Sequence, residues 1–326
     1  MPLLEVEDLR THFFTRRGVT RAVDGVSFTV EAGETLALVG ESGSGKSVTC
    51  LSLVRLVPEP AGRIVSGRIL LDGEDLLQKT PAQMRRVRGK QIAMILQDPM
   101  TSLNPALTIG SQLGEVVRLH RGLRGTVLRE RVLDALARLR IPGAAGRLAH
   151  YQHQLSGGMR QRVSSAIALS CAPRLLIADE PTTSLDVTIQ AQYLELLEEV
   201  QQETGVAIIL VTHDFGIVAT NADRVAVMYA GRIVEIGRTP DVFDHPAHPY
   251  TRALLRCLPD VEPKGRRLVE IAGQPPDLAR LPPGCPFAPR CPERQARCTS
   301  EYPAPVALSD GHVAHCWAVA PDTAVR

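Results

Sequence analysis

The chain has 326 residues, of which 44% are apolar and 22% charged, and its formal net charge is +2. That is the balance of an ordinary soluble protein, long enough to bury a core in one large domain or two, and it makes no electrostatic case for a nucleic-acid partner. No apolar run approaches the ~18 residues that a membrane-spanning helix needs, and Met1-Pro2-Leu3-Leu4-Glu5 lacks the basic-then-apolar pattern of a secretory signal, so a cytosolic chain is expected.

Leu4–Leu9 alternates apolar and polar residues and predicts a half-buried strand; Gly25–Val30 predicts a second. After the turn Glu31-Ala32-Gly33-Glu34 comes the apolar run Leu36-Ala37-Leu38-Val39, then Gly40-Glu41-Ser42-Gly43-Ser44-Gly45-Lys46-Ser47, then a helical start at Val48–Val54. A strand, G-x-x-x-x-G-K-[ST] and a helix in that order form the setting of a phosphate-binding loop. The glycines let the backbone fold back, so that N–H groups from Ser42, Gly43 and Ser44 to Val48 point into one cavity. The helix start adds partial positive charge there. Lys46 supplies a full charge for the β- and γ-phosphates, and Ser47 a hydroxyl for Mg²⁺.

Gly67–Gly73 predicts a strand ending in an Asp-Gly turn, Pro81–Gly89 a basic helix or loop, and Gln91–Gln97 a strand that finishes in a polar residue. From Pro99 to about Arg174 the pattern is mostly helical. Leu128, Val132, Leu133, Leu136 and Leu139 share one side at helical spacing before Ile141-Pro142-Gly143 stops the helix. Ser156-Gly157-Gly158 precedes a second helix, Met159–Ser170. Alternation then resumes: strand Leu175–Ala178, helix Thr188–Gln202, strand Ala207–Thr212, helix Phe215–Ala222, and strands Arg224–Tyr229 and Arg232–Ile236 joined at Ala230-Gly231. This predicts an α/β fold, an open and largely parallel sheet with helices on its faces and a helical lobe inserted at about 98–174. Beyond residue 240 prolines crowd the chain and cysteines gather, which predicts a first domain over 1–240 and a small, loop-rich second one over 241–326.

Leu175-Leu176-Ile177-Ala178-Asp179-Glu180 is a buried strand that delivers two carboxylates to its C-terminal end, where such sheets bind ligands. Asp179 suits Mg²⁺. Glu180 suits the orientation and deprotonation of an attacking water. With Leu155-Ser156-Gly157-Gly158-Met159, Gln97, Ser184-Leu185-Asp186 and His213, all in the right order, the chain resembles an ABC-type ATPase over roughly residues 3 to 240.

That resemblance implies a P-loop NTPase of the ABC type with an inserted helical subdomain. Two subunits pair head to tail around two ATP molecules. The loop Gly40–Ser47 of one faces Ser156, Gly157, Gly158 and Met159 of the other, and Asp186 acts across the dimer. Gln97 senses Mg²⁺ and the attacking water, and His213 meets the γ-phosphate. Adenine stacking falls by spacing on Phe14 or Arg17.

A narrower resemblance, to the ATPase subunits of oligopeptide and dipeptide importers, rests on Gln97–Pro105, Leu155–Arg162, Pro181–Gln192 and His248-Pro249-Tyr250-Thr251-Arg252-Ala253-Leu254-Leu255. The last stretch begins that group's C-terminal extension. The resemblance implies a peripheral subunit on the cytoplasmic face of the inner membrane. Its partners are two transmembrane permease subunits, a second and often non-identical ATPase subunit, and an extracytoplasmic solute-binding protein. The cargo site lies on other chains, so nickel or another solute stands as the alternative cargo. A soluble ABC ATPase that does no transport is the alternative of a different class.

Cys285, Cys291, Cys298 and Cys316 give C-x₅-C-x₆-C-x₁₇-C. Thiolates bind zinc or iron–sulfur clusters. Zinc sites favour shorter spacings, and the wider loops suit a [4Fe–4S] cube, as the resemblance also implies. Zinc and free thiols stay open as alternatives.

Overall fold

A computed structural model describes residues 1–16, 18–98, 102–183, 185–257 and 270–319. In chain order its elements begin with β1 (Leu4–Thr15), β2 (Gly18–Val30), β3 (Thr35–Val39), α1 (Lys46–Leu53), β4 (Gly62–Leu71), β5 (Glu74–Asp75), α2 (Pro81–Val87) and β6 (Ile92–Ile95). Then follow α3 (Ile109–Arg121), α4 (Gly125–Arg138), α5 (Ala144–Arg147), α6 (Gly157–Leu169), β7 (Leu175–Asp179), α7 (Val187–Thr204) and β8 (Ala207–Thr212). The rest are α8 (Phe215–Asn221), β9 (Arg224–Tyr229), β10 (Arg232–Arg238), α9 (Thr239–Asp244), α10 (Pro249–Arg256), β11 (Val306–Ser309) and β12 (His312–Ala314). The chain divides into two compact units interleaved along the sequence: Met1–Leu3, Val30–Thr35 and Leu76–Val211 form one, and Leu4–Thr29, Leu36–Asp75 and Thr212–Arg326 the other.

In the first unit β6, β7 and β8 run parallel, with Ile92 opposite Leu175 and Leu175 opposite Ala207. Every residue of β7 is buried, as an apolar run covered on both faces requires. The helical lobe packs Leu113 and Val117 of α3, Val132 and Leu136 of α4, and Val163 and Ala166 of α6 into one core. Ser165 and Tyr193 share a 2.7 Å hydrogen bond between α6 and α7, which satisfies a phenol that burial has pushed up to about 12.

In the second unit β1 pairs antiparallel with β4, from Leu4 opposite Leu71 to Phe13 opposite Gly62, within a sheet of order β2-β1-β4-β5. This antiparallel sheet is additional to the open, largely parallel one that the sequence predicts. Alternating residues announce a strand with one wet face but do not name its partner. Elsewhere in the unit β3 lies parallel to β9, β9 and β10 form a hairpin, and β12 pairs with β10. The cysteine-bearing segment is thereby joined to this sheet. Val39, Val227, Tyr229, Val234, Tyr250 and Phe287 belong to one core. No described helix is long and apolar enough to cross a membrane.

Candidate functional site

The phosphate loop lies in the second unit, between a wholly buried β3 and the first residue of α1. Gly40, Gly43 and Gly45 all have positive φ, at 152°, 79° and 107°. A Cβ on Gly40 would stand 2.2 Å from the Met228 carbonyl oxygen, and one on Gly45 2.4 Å from that of Ala22. The loop is therefore pressed against neighbouring backbone that only glycine can approach. Lys46 is buried, and its Nζ donates to the carbonyls of Gly40 at 2.7 Å and Glu41 at 3.0 Å. The Ser44 hydroxyl is buried without a hydrogen-bond partner, the mark of a cradle shaped for a polar ligand. Ser42 is exposed, Ser47 and Val48 are half-buried.

Phe14 is 44% exposed, with the Arg63 guanidinium 5.6 Å from its ring centroid, so an aromatic face with a cation beside it is open on β1. Arg17, the other expected stacking residue, lies outside the described residues. His213 is exposed on the turn between β8 and α8, next to Asp214, whose carboxylate accepts from the N–H groups of Gly216 and Ile217 and caps α8.

In the first unit Asp179 is buried at the end of β7. The next residue, Glu180, is held at φ 46°, a conformation unusual for a non-glycine residue and common at functional turns. Its carboxylate accepts from Gln97 Nε2 at 2.8 Å and Thr183 Oγ1 at 3.1 Å. Gln97 and Glu180, expected to share one task, are thus in contact. Thr183 escaped sequence reading; its position three residues after the acid, in a turn, was the available signal.

Ser156 caps α6, its hydroxyl accepting from the Met159 N–H. The N–H groups of that first turn have no intrahelical acceptor. Ser156, Gly157, Gly158, Met159 and Asp186 line one open cavity of about 520 Å³, so residues 30 apart in sequence come together. Asp186 also caps α7 through the Ile189 N–H at 3.0 Å. Ser184 lies outside the described residues.

Cys285, Cys291, Cys298 and Cys316 line one cavity in the second unit. Among the described residues, which include all seven cysteines, there is no disulfide. Burial raises the thiol of Cys285 to about 11, and it raises those of Cys291 and Cys316 as well. Among the described residues no group of three or more His, Cys, Asp or Glu side chains is arranged to hold a metal ion. Cys50 and Cys171 are buried core residues.

The model of the ABC transporter family matches residues 23–183, and that of the oligopeptide/dipeptide transporter C-terminal region matches residues 234–298. The chain is 51% identical over 315 residues to the dipeptide transport ATP-binding protein DppD of Bacillus subtilis, covering 97% of this chain and 94% of that protein. It is 48% identical to the oligopeptide transport ATP-binding protein AppD of the same organism, covering 97% and 96%. Among solved structures, cbiO1 of Clostridium perfringens, described as part of the ABC transporter complex cbiONQ, aligns with a TM-score of 0.62 at 30% identity over 75% of this chain and 91% of that one. The dimeric post-hydrolysis structure of the cassette MJ0796 with ADP and Pi aligns at 0.65 and 24% identity, covering 72% and 98%, a likeness of fold.

Proposed function

The chain belongs to the ABC transporter ATP-binding family, and from that premise we propose that it is the ATP-hydrolysing subunit of an importer of dipeptides or oligopeptides. The observation that carries this reading is the likeness to peptide-import ATP-binding proteins along 97% of the chain, extension included. Residues 1–240 are the nucleotide-binding domain, with the helical subdomain at about 98–174, and 241–326 the importer-type extension. The subunit works as a peripheral protein beside two membrane permease subunits and as part of an ATPase dimer. A non-identical ATPase paralogue and an extracytoplasmic solute-binding protein complete the proposed system.

In this reading the glycine loop and Lys46 receive the β- and γ-phosphates, supported by the positive-φ glycines and by the unpartnered Ser44 hydroxyl. Mg²⁺ would supply charge neutralisation for the leaving phosphate. Ser47, Asp179 and Gln97 would hold it, oxygen donors of the hard kind that suits this ion. Glu180 takes the proton of the attacking water, held in aim by Gln97 and Thr183. His213 contacts the γ-phosphate, and Phe14 or Arg17 stacks on adenine. Ser156, Gly157, Gly158, Met159 and Asp186 serve the ATP held by the partner subunit. The open cavity at the start of α6 and Val187, 82% exposed beside it, support a face that is completed by another chain.

Cys285, Cys291, Cys298 and Cys316 line one cavity without being arranged to hold a metal ion in this structure; their chemistry and the extension's likeness to importer ATPases support a [4Fe–4S] cluster that they would hold once drawn together, with zinc as the alternative. Such a group would staple a segment poor in backbone ladders. Protein purified without oxygen should then be brown, with iron and sulfide in equal amounts and absorbance near ~400 nm; colourless protein with stoichiometric zinc would replace the cluster by zinc.

The function itself is tested in the assembled transporter. Glu180→Gln should bind MgATP as the wild type does while turnover falls by roughly 10²-fold or more, and labelled dipeptide uptake should stop. Near-normal hydrolysis would remove Glu180 as the base. Loss of nickel uptake with peptide uptake intact, in cells lacking the gene, would change the cargo.

A further inference from the structure

Glu41 is an acid inside a loop shaped for a polyanion, and every polar part of it is held. Its N–H donates to the Tyr250 hydroxyl at 2.9 Å. Its carbonyl accepts from Lys46 Nζ at 3.0 Å. Its carboxylate takes both arms of the Arg290 guanidinium, Oε2 from Nη1 at 2.7 Å and Oε1 from Nη2 at 3.0 Å. The Arg290 side chain is itself only 4% exposed and is held by further bonds: Nε donates to the Ala272 carbonyl at 3.0 Å, Nη2 to that of Ile271 at 3.2 Å, and Nη1 to the Tyr229 hydroxyl at 3.3 Å. It rides on a turn closed by Ala288 N–H to Cys285 O and Arg290 N–H to Phe287 O, whose Phe287 packs edge-on against Tyr229.

We propose that Arg290 is a positioning residue for ATP binding, cancelling the Glu41 charge and fixing the first turn of the phosphate loop, so that the C-terminal extension completes the nucleotide site. The physical reason is electrostatic. A carboxylate carried by the phosphate loop repels the phosphates, and more strongly where water is scarce. A bidentate guanidinium removes that repulsion and locks the carboxylate in one place. Tyr250, also in the extension, orients the same peptide from the other side.

The proposal rests on the loop's being an ATP site, and its test separates the two. MgATP and MgADP affinities are measured by calorimetry on the assembled transporter carrying Arg290→Met, which keeps the aliphatic bulk, Arg290→Lys, and Glu41→Gln with Arg290→Met. The expected result is a ~10-fold or greater rise in the MgATP dissociation constant for Arg290→Met, smaller for MgADP, with kcat at saturating ATP within about twofold. Arg290→Lys, with the charge but not the fork, should fall between. Removing the uncovered carboxylate in the double variant should recover most of the affinity. Unchanged binding in Arg290→Met overturns the proposal. So does a double variant as weak as the single one, because a packing defect would not be relieved by neutralising Glu41. A wild-type transporter that binds no MgATP would overturn the reading of the loop, and this inference with it.

Discussion

His248 is wholly buried at the head of α10, and burial holds its imidazole down at about 4. Its ring nitrogen accepts the Tyr250 N–H at 3.0 Å, which requires the neutral form. The unfolded chain takes up a proton near pH ~6.5 that the folded chain refuses until far lower. Stability therefore falls as pH drops from 6.5 toward 4, by about 1 kcal/mol at pH 5.5 from this group. His248→Asn keeps a capping acceptor without the proton and should flatten the decline of the melting temperature between pH 7 and 5; an unchanged slope would exclude His248 as its source. Glu235 acts lower on the scale. Burial pushes its carboxyl up, but His312 and the N–H groups of Ala247 and His248 outweigh that and leave it below its ordinary value of 4.5. Its contribution is complete above the unfolded pKa and is lost only as pH falls through the depressed folded one.

Among the elements, the turn around the cysteines depends on one glycine. A Cβ on Gly284 would lie 2.3 Å from the Cys298 carbonyl oxygen, while the Cys285 N–H donates to that same oxygen at 2.8 Å. Gly284→Ala should push the two cysteine segments apart, costing on the order of 2–4 kcal/mol as a backbone clash does, and it should speed alkylation of Cys285 and Cys298; unaltered alkylation rates would refute this. Elements of this kind divide sharply in how readable they are. The run Leu36–Val39 with the glycines behind it reads plainly, because a buried strand, a tight loop and a helix start each leave a local mark. So do β7 with its two acids and α7, whose expected span Thr188–Gln202 lies within the observed Val187–Thr204. The pairing of β1 with β4 did not read, since alternation states a wet face and leaves the neighbour open. Nor did Thr183, Tyr250 or Arg290, whose partners are set by the tertiary path and not by spacing. The contact of Arg290 with Glu41 spans 249 residues, far beyond any periodicity.

For the molecule as a whole, the proposed pairing with a second ATPase subunit would use the face that carries the start of α6, Asp186 and an exposed valine. With MgATP, Glu180→Gln should trap the associated form and double the mass of the purified ATPase subunits in light scattering, whereas MgADP should not. Failure to associate with Glu180→Gln and saturating MgATP would argue that the permease, not the nucleotide, holds the two subunits together.

The interleaving of the two units has a consequence for how the protein is made. The phosphate loop leaves the ribosome early, yet the carbonyl of Met228 that presses on Gly40, the Tyr250 hydroxyl and the Arg290 fork are synthesised late. At about 5–20 residues per second, the 249 residues from Glu41 to Arg290 take roughly 12–50 s to translate. Until Arg290 is made, the nascent chain carries the glycine loop with its Glu41 carboxylate uncompensated, although β9, the parallel neighbour of β3, is already in place by then. Nucleotide binding should then strengthen near the end of translation, and ribosome-bound chains stopped before residue 290 should hold ATP more weakly than complete chains do.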